Sequence, residues 1–480
     1  LKRARGVGEA YFSRMRPSPS LPSFAVFSLL AACTPSTPTP PGGDGGVGGA
    51  RPDFDAMVAG GDCPSAQGAG VEHSSDITAD ETWRASDGPH RIVRNIRITA
   101  ALTLEACTTV VLSDRVTVQV GTSAAAGKIV ALGEMIGSSL RPVRFIAEDP
   151  STPWGSLTVD ATGSLDLSYT ALVGGANPAT AQNGGGALLV YGITPKNTED
   201  PVVTASVKTN WLLVEDPSGF GVNFVRTAGF APGAHGLAVR GAKDAPIAMD
   251  FQAAETLPRE IVLSGNVRDE IDLNPVGASL PSTTIKDVGW PYRVLRAVYV
   301  GSVVDGTTST LTIEPGVTLR FSQQTNASGI YVGTSSTRPG VLVARGTAEK
   351  PIVFTSAQAT PAPGDWMGLY FRYYPTSGNA IEHALIQYAG APSGAQGYGC
   401  GPAENDASVL LLGDRPDDAF INSTTFENGG GDTGIVLGWK SDASGPDFKT
   451  PNTFVNMPAC AVSRWRDENG SCPSTQPVCL

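Results

Sequence analysis

Three stretches of the chain carry residue types that can do chemistry. "DRPDDAF" gathers the carboxylates of Asp414, Asp417 and Asp418. Neighbouring carboxylates suit cation binding or, where their environments differ, acid–base work. "VRDEIDLNP" supplies Asp269, Glu270 and Asp272, hard oxygen donors for calcium, although the ligand spacing of an EF-hand loop is missing. "GAHG" supplies His235, the one residue type that titrates unperturbed near neutral pH. Each stretch also has a plainer reading from its composition. Asp417 and Asp418 are expected in a solvated turn, His235 in a turn after "APGA", and residues 269–272 along a solvated strand edge. No nucleophile elbow, phosphate loop or zinc-protease motif occurs in the chain.

A fourth stretch, "DWMGLYFRYYP", offers recognition. Strict alternation along a strand places Met367, Leu369, Phe371 and Tyr373 on one face and Trp366, Tyr370, Arg372 and Tyr374 on the other. With the first set inside, the second is an aromatic ladder with one cation. Such rings either stack on the C–H faces of a glycan or pack against a neighbouring loop or the first half of the chain. The corresponding "PWGSLTVDAT" has no ladder, so this function would belong to the second half.

Seven cysteines remain to be placed. Cys33 closes "LLAAC", after the cationic Arg16 and the apolar "LPSFAVFSLLAA", which is too short to span a bilayer. Read from Met15, residues 1–32 form a signal peptide, and "LLAAC" resembles the bacterial lipobox. That resemblance implies cleavage before Cys33 and a diacylglycerol on its sulfur. Thr34, in place of Asp, implies sorting to the outer membrane. The Pro- and Gly-rich stretch that follows has little to bury, so residues 33–72 are expected to hold the lipidated cysteine and a tether.

Removing Cys33 leaves Cys63, Cys107, Cys400, Cys460, Cys472 and Cys479 as disulfide candidates. Six cysteines allow 15 pairings, among which chain proximity favours Cys63 with Cys107. A zinc site is the rival, but "CPSTQPVC" has the wrong spacing and His383 is the only histidine beyond His235.

These groups must be held by something. The 480 residues include 57 Gly and 37 Pro, and only 16% are charged, a composition suited to the envelope or secretion. Asp and Glu outnumber Lys and Arg by 45 to 34, so nucleic acid is not an expected partner. An internal repeat organises the rest. "LTLEACTTVVL" from Leu102 matches "LTIEPGVTLRF" from Leu311, "GKIVALG" matches "GVLVARG", and "PVRF" matches "PIVF". Trp83 and Trp290 precede the first pair, and all the matches keep their order at offsets of about 207 to 213 residues.

Within each half, apolar alternation over short runs is broken by Gly, Pro, Asn and Asp, and helical periodicity is absent apart from the signal. Units of about 20 to 25 residues each expose an apolar face that only the next unit can cover. The predicted fold is all-β, a right-handed parallel β-helix in two segments, 73–280 and 281–480, with tandem β-sandwich domains as the alternative.

At this level the chain resembles pectate-lyase-like β-helix proteins. Many envelope members share first coils like "LTIEPGVTLRF…GVLVARGTAEKPIVFTS…GDWMGLYF". The resemblance implies, for enzymes of the fold, an acidic calcium site with a Lys or Arg base, or clustered Asp with a "GHG" segment. Here His235 precedes Asp417 by about 180 residues, "GAHG" is not "GHG", and no Asn-Thr-Asp or Arg-x-Lys segment occurs. The catalytic residues therefore do not carry over. The expected function is non-catalytic: a lipid-anchored β-helix at the cell envelope that binds polysaccharide or a surface protein, or acts as an adhesin or scaffold, without a cofactor. The alternative is a calcium-assisted polysaccharide lyase or glycoside hydrolase.

Overall fold

A computed structural model describes residues 50–65, 68–180, 185–193, 203–275, 279–323, 328–373, 377–392, 406–431, 433–439, 445–464, 466, 469, 471–472 and 478–480. The expected signal, Met15, Arg16, Cys33, Tyr374 and Cys400 lie outside these residues.

Short strands dominate, and nearly all pair in parallel with the strand one coil earlier. β1 (Val71–His73) pairs with β3 (His90–Ile92), β2 (Glu81–Trp83) with β5 (Ala101–Leu104), and β3 with β6 (Thr109–Leu112). Antiparallel strand pairs among the described residues are Glu134–Ile136 with Ser139–Arg141 and Cys460–Arg464 with Val478–Cys479. The result is a parallel β-helix, and it selects that architecture over tandem sandwiches.

The core follows from alternation. Three-residue strands such as β4 (Ile96–Ile98) and Val118–Val120 bury both ends and turn the middle residue outward. Successive coils then stack like on like. Ile96, Val118, Leu157, Leu188, Val222, Ile247, Ile271, Tyr292 and Leu319 lie in one register row, all buried. One continuous apolar cluster extends from Ile77 to Val462. Among the described residues the cluster continues across residue 280, through Leu273, Leu280 and Ile285, and residues 46–480 form one compact unit.

The repeat does have a structural signature at the junction. A 13-stranded sheet runs through both halves, whereas a 12-stranded sheet ends at Ile261–Ser264 and 5- and 7-stranded sheets begin at Thr283–Ile285 and Val298–Val300. β6 lies in the 12-stranded sheet, but its sequence counterpart Thr318–Phe321 lies in the 13-stranded one. Likewise Val118–Val120 belongs to the 13-stranded sheet and its counterpart Ile330–Val332 to the 7-stranded sheet. Equivalent strands of the two halves therefore fall in different sheets.

The stretch expected as tether ends in ordered structure. The helix α1 (Phe54–Ala59) begins where the Asp53 carboxylate accepts the amides of Asp55 and Ala56, and stops at Gly60 in the left-handed region. Its buried Phe54 and Met57 pack on Leu140, Tyr169, Trp211, Leu213 and Ala238, outside the main core. The Asp55 carboxylate meets Arg240 at 2.9 Å, and Arg240 also pairs with Glu215. Cys63 then bonds to Cys107, so residues 50–63 form a strap fastened across the outer face of the first sheet. Cys460 bonds to Cys479 at the C-terminal end, and Cys472 is also in a disulfide.

Candidate functional site

Where the 7-stranded sheet begins, the outward middle positions of consecutive strands are Tyr299, Tyr331 and Tyr370, aligned in register. Parallel pairing one coil apart forces their rings together. Tyr299 and Tyr331 stack at 4.8 Å with planes 5° apart, and Tyr370 meets Tyr331 edge-on at 5.3 Å. Burial pushes the Tyr331 hydroxyl up to about 12, so it stays protonated, and it donates to the Met367 sulfur at 3.1 Å. The Arg372 guanidinium lies over the Tyr331 ring at 5.3 Å and over Tyr373 at 5.5 Å.

Two loops form the rim. Gly306 donates its amide to the Thr337 carbonyl, and Arg338 Nε and Thr337 Oγ1 both donate to Asp305 Oδ1, at 2.6 and 3.0 Å. Those two bonds, Arg338 first, hold the Asp305 carboxyl below its ordinary range, so it is an ion and not a proton donor at neutral pH. Between rim and sheet lies a cleft of about 490 Å³ lined by Tyr299, Asp305, Thr337, Arg338, Arg372 and Ser279, among others. Its volume suits one or two sugar rings or a similar polar ligand.

Among the described residues of the expected ladder, only Arg372 reaches this cleft. Trp366 is fully buried instead, its ring stacked on Phe321 at 4.2 Å and its Nε1 donating to the Gln387 carbonyl at 2.7 Å. Tyr370 is also fully buried, in a satellite cluster with Met367 and Leu410. Neither can touch a glycan. For Trp366 the cause is Gly368, at φ +113°, where a Cβ would come within 2.5 Å of the Ser408 carbonyl oxygen. That left-handed residue resets the alternation, so Trp366 joins Leu369 and Phe371 in the main core while Met367 faces the other way. Tyr374 lies outside the described residues.

The site tyrosines were signalled by a repeated tetrapeptide pattern, "YVGS" from Tyr299 and "YVGT" from Tyr331. Their counterparts in the first half are Arg97 and Gln119, which occupy the same middle positions in register. The template is shared; only the second copy is aromatic.

The acidic stretches behave differently. Asp272 occupies an outward middle position next to Arg293, and it accepts from Arg268 at 2.7 Å. Arg268 also reaches Asp244, Glu270 pairs with Arg320, and Asp269 accepts from Asn266. Desolvation raises the Asp272 carboxyl against the pull of its arginines. Glu270 and Asp272 thus face guanidinium groups rather than an open site. Among the described residues no three His, Cys, Asp or Glu side chains gather in a group that could hold a metal ion.

His235 starts a strand of the 12-stranded sheet, edge-on to Trp211 at 5.6 Å and 3.9 Å from Glu260. Asp414, Asp417 and Asp418 lie in the exposed turn after Ala407–Leu412. The fold places histidine and carboxylates in different sheets and coils.

Comparison with known proteins adds one positive finding. Residues 292–410 match the family model of a pectate-lyase like beta helix domain. No curated protein and no solved structure matches the chain. The matched segment contains Tyr299, Arg338 and Arg372, the aromatic and cationic residues that line the cleft, and Tyr331, on which Tyr299 stacks. The chain therefore carries a pectate-lyase-like β-helix domain, and the cleft belongs to it.

Proposed function

We propose that this protein is a lipid-anchored β-helix of the cell envelope that binds polysaccharide, without cleaving it, in the cleft between Tyr299 and Arg338. The observation that carries the reading is the Tyr299 ring, backed by its stack on Tyr331, beside two guanidinium groups and several hydroxyls in one open cleft. An aromatic face covers a sugar's C–H surface while cations and hydroxyls bond to its oxygens. Asp305 is the cleft's carboxylate, and its bonds to Arg338 and Thr337 leave it poorly suited to protonate a leaving group. Lipidation at Cys33 rests on "LLAAC" and its apolar, cationic lead. A calcium-assisted lyase or hydrolase would need acidic groups released from the Arg268, Arg293 and Arg320 pairs.

The test extracts the full chain from a membrane fraction and mixes it with a panel of polysaccharides, with and without calcium, on a size-exclusion column. Co-elution with an intact glycan is expected, weakened about tenfold by Tyr299→Ala, the scale of one lost aromatic stack. Shortened glycan would sink the non-catalytic reading. Binding indifferent to Tyr299→Ala would move the site elsewhere, and recovery only from the soluble fraction would remove the anchor.

A further inference from the structure

The N-terminal end of the solenoid core is closed by three stacked rings from the first two coils. His73 of β1 lies on Trp83 of β2 at 3.9 Å, and His90 of β3 lies nearly parallel to Trp83 at 4.7 Å. His73 Nε2 and His90 Nδ1 are 3.0 Å apart. Trp83 and His90 are buried, at 3% and 2% exposure, and His73 is half-buried.

The hydrogen bonds fix the tautomers. His90 Nε2 is 3.2 Å from the Arg84 carbonyl, which can only accept, so that nitrogen carries a hydrogen. In neutral His90 the Nδ1 is then bare and accepts from His73 Nε2–H, leaving His73 Nδ1 bare. A first proton can enter at His73 Nδ1 without breaking any of these bonds, and the Trp83 face beneath favours the cation. A second has only His90 Nδ1. It would set two N–H groups against each other across 3.0 Å.

The surrounding charges cannot offset both protons. Glu81 of β2 accepts from Trp83 Nε1 at 3.0 Å and acts on both imidazoles, and Asp87 of the 3₁₀ turn Ala85–Asp87 acts on His90. The Arg84 guanidinium is turned to Glu105, and Arg91 to Glu148. β6, on the far side of β3, presents no titratable group to the pair. Burial and the mutual repulsion of the imidazoles outweigh Glu81, so His73 is harder to protonate than an ordinary histidine. His90, held down chiefly by burial, is too.

We propose that the first coil is a proton-operated latch: it stays closed over the core while His73 and His90 share one hydrogen bond, and swings open when both imidazoles take a proton. The sign follows from linkage. Both groups hold protons less well folded than unfolded, so closure is fully stable above the unfolded value of 6.5. It weakens as the pH falls below that value, by up to about tenfold per pH unit for each histidine. Release would bare the second coil's core residues, Ile92, Ile98 and Leu102, at the end of the solenoid.

Amide hydrogen exchange of the full oxidised chain, corrected for intrinsic rates, tests this at about pH 7.5 and about pH 5. Peptides spanning 70–98 are expected to lose protection at least tenfold at the lower pH, while those beyond residue 109 keep theirs. His73→Phe keeps a ring on Trp83 without a proton site and is expected to hold its protection at both values. Equal protection of the parent at the two values, or the same loss in His73→Phe, would overturn the latch. Histidine proton resonances give an independent reading: two separate steps, each near the ordinary value, would also overturn it.

Discussion

Asp250 shows how much one interior carboxylate can weigh. It is 3% exposed and accepts the Thr227 amide at 2.6 Å. Desolvation pushes its carboxyl up to about 6, against the pull of that amide. A folded value above the unfolded one means the stabilising proton is fully held below pH 3.8 and lost as the pH rises through about 6. Asp250→Asn keeps the acceptor and removes the charge. It is expected to raise stability at about pH 8 by up to about 3 kcal/mol and to change little below about pH 4, as read by urea unfolding at the two values. An equal gain at both would assign the effect to packing. At this scale the sequence is a mixed guide. Alternation sets Arg372 and Tyr370 on the outward side, where they lie, but Tyr370 is covered by Met367 and Leu410. Trp366 turns inward because a single left-handed Gly368 changes which way the chain faces, and φ is not written in a two-letter polar pattern.

Among elements, the strands were legible and the strap was not. The turn shared by the repeats explains part of this. Cys107 and Gly316 occupy equivalent positions, both with positive φ, at +68° and +90°. Glycine fills the turn at little cost in the second half, while the first half accepts a strained cysteine there and uses it to fasten Cys63. The helix α1 has six residues, below the length at which apolar periodicity stands out from a Pro- and Gly-rich neighbourhood. Its stability comes from Phe54 and Met57 on the Trp211 surface and from the disulfide. Replacing Cys63 and Cys107 by serine is expected to cost about 2–4 kcal/mol. It should also make residues 50–63 the first site of limited proteolysis while the solenoid stays intact. Equal resistance with and without the disulfide would show that the helix packing alone holds the strap.

For the molecule as a whole, the repeat and the solenoid could be read from matched segments in order, since stacking coils need a recurring apolar face. The placement of equivalent strands in different sheets could not. An alignment gives the order of strands along the chain and is blind to their direction about an axis. The junction is sewn by charge as well as by the continuous core: Glu270 and Asp272 of the first half meet Arg320 and Arg293 of the second. Glu270 is 7% exposed, so Arg320→Ala would strand it. A loss of about 3–5 kcal/mol in urea unfolding is expected. A loss under about 1 kcal/mol would mark the pair as peripheral to the junction. This placement also bears on valency. The Arg97–Gln119 row and the Tyr299–Tyr331 row lie in different sheets, so they cannot both lie against one flat partner, and duplication of this row gives no avidity for a planar target. One copy was thereby released from duplicating the other's surface, and a row of Arg97 and Gln119 could coexist with a row of Tyr299 and Tyr331 on the same template.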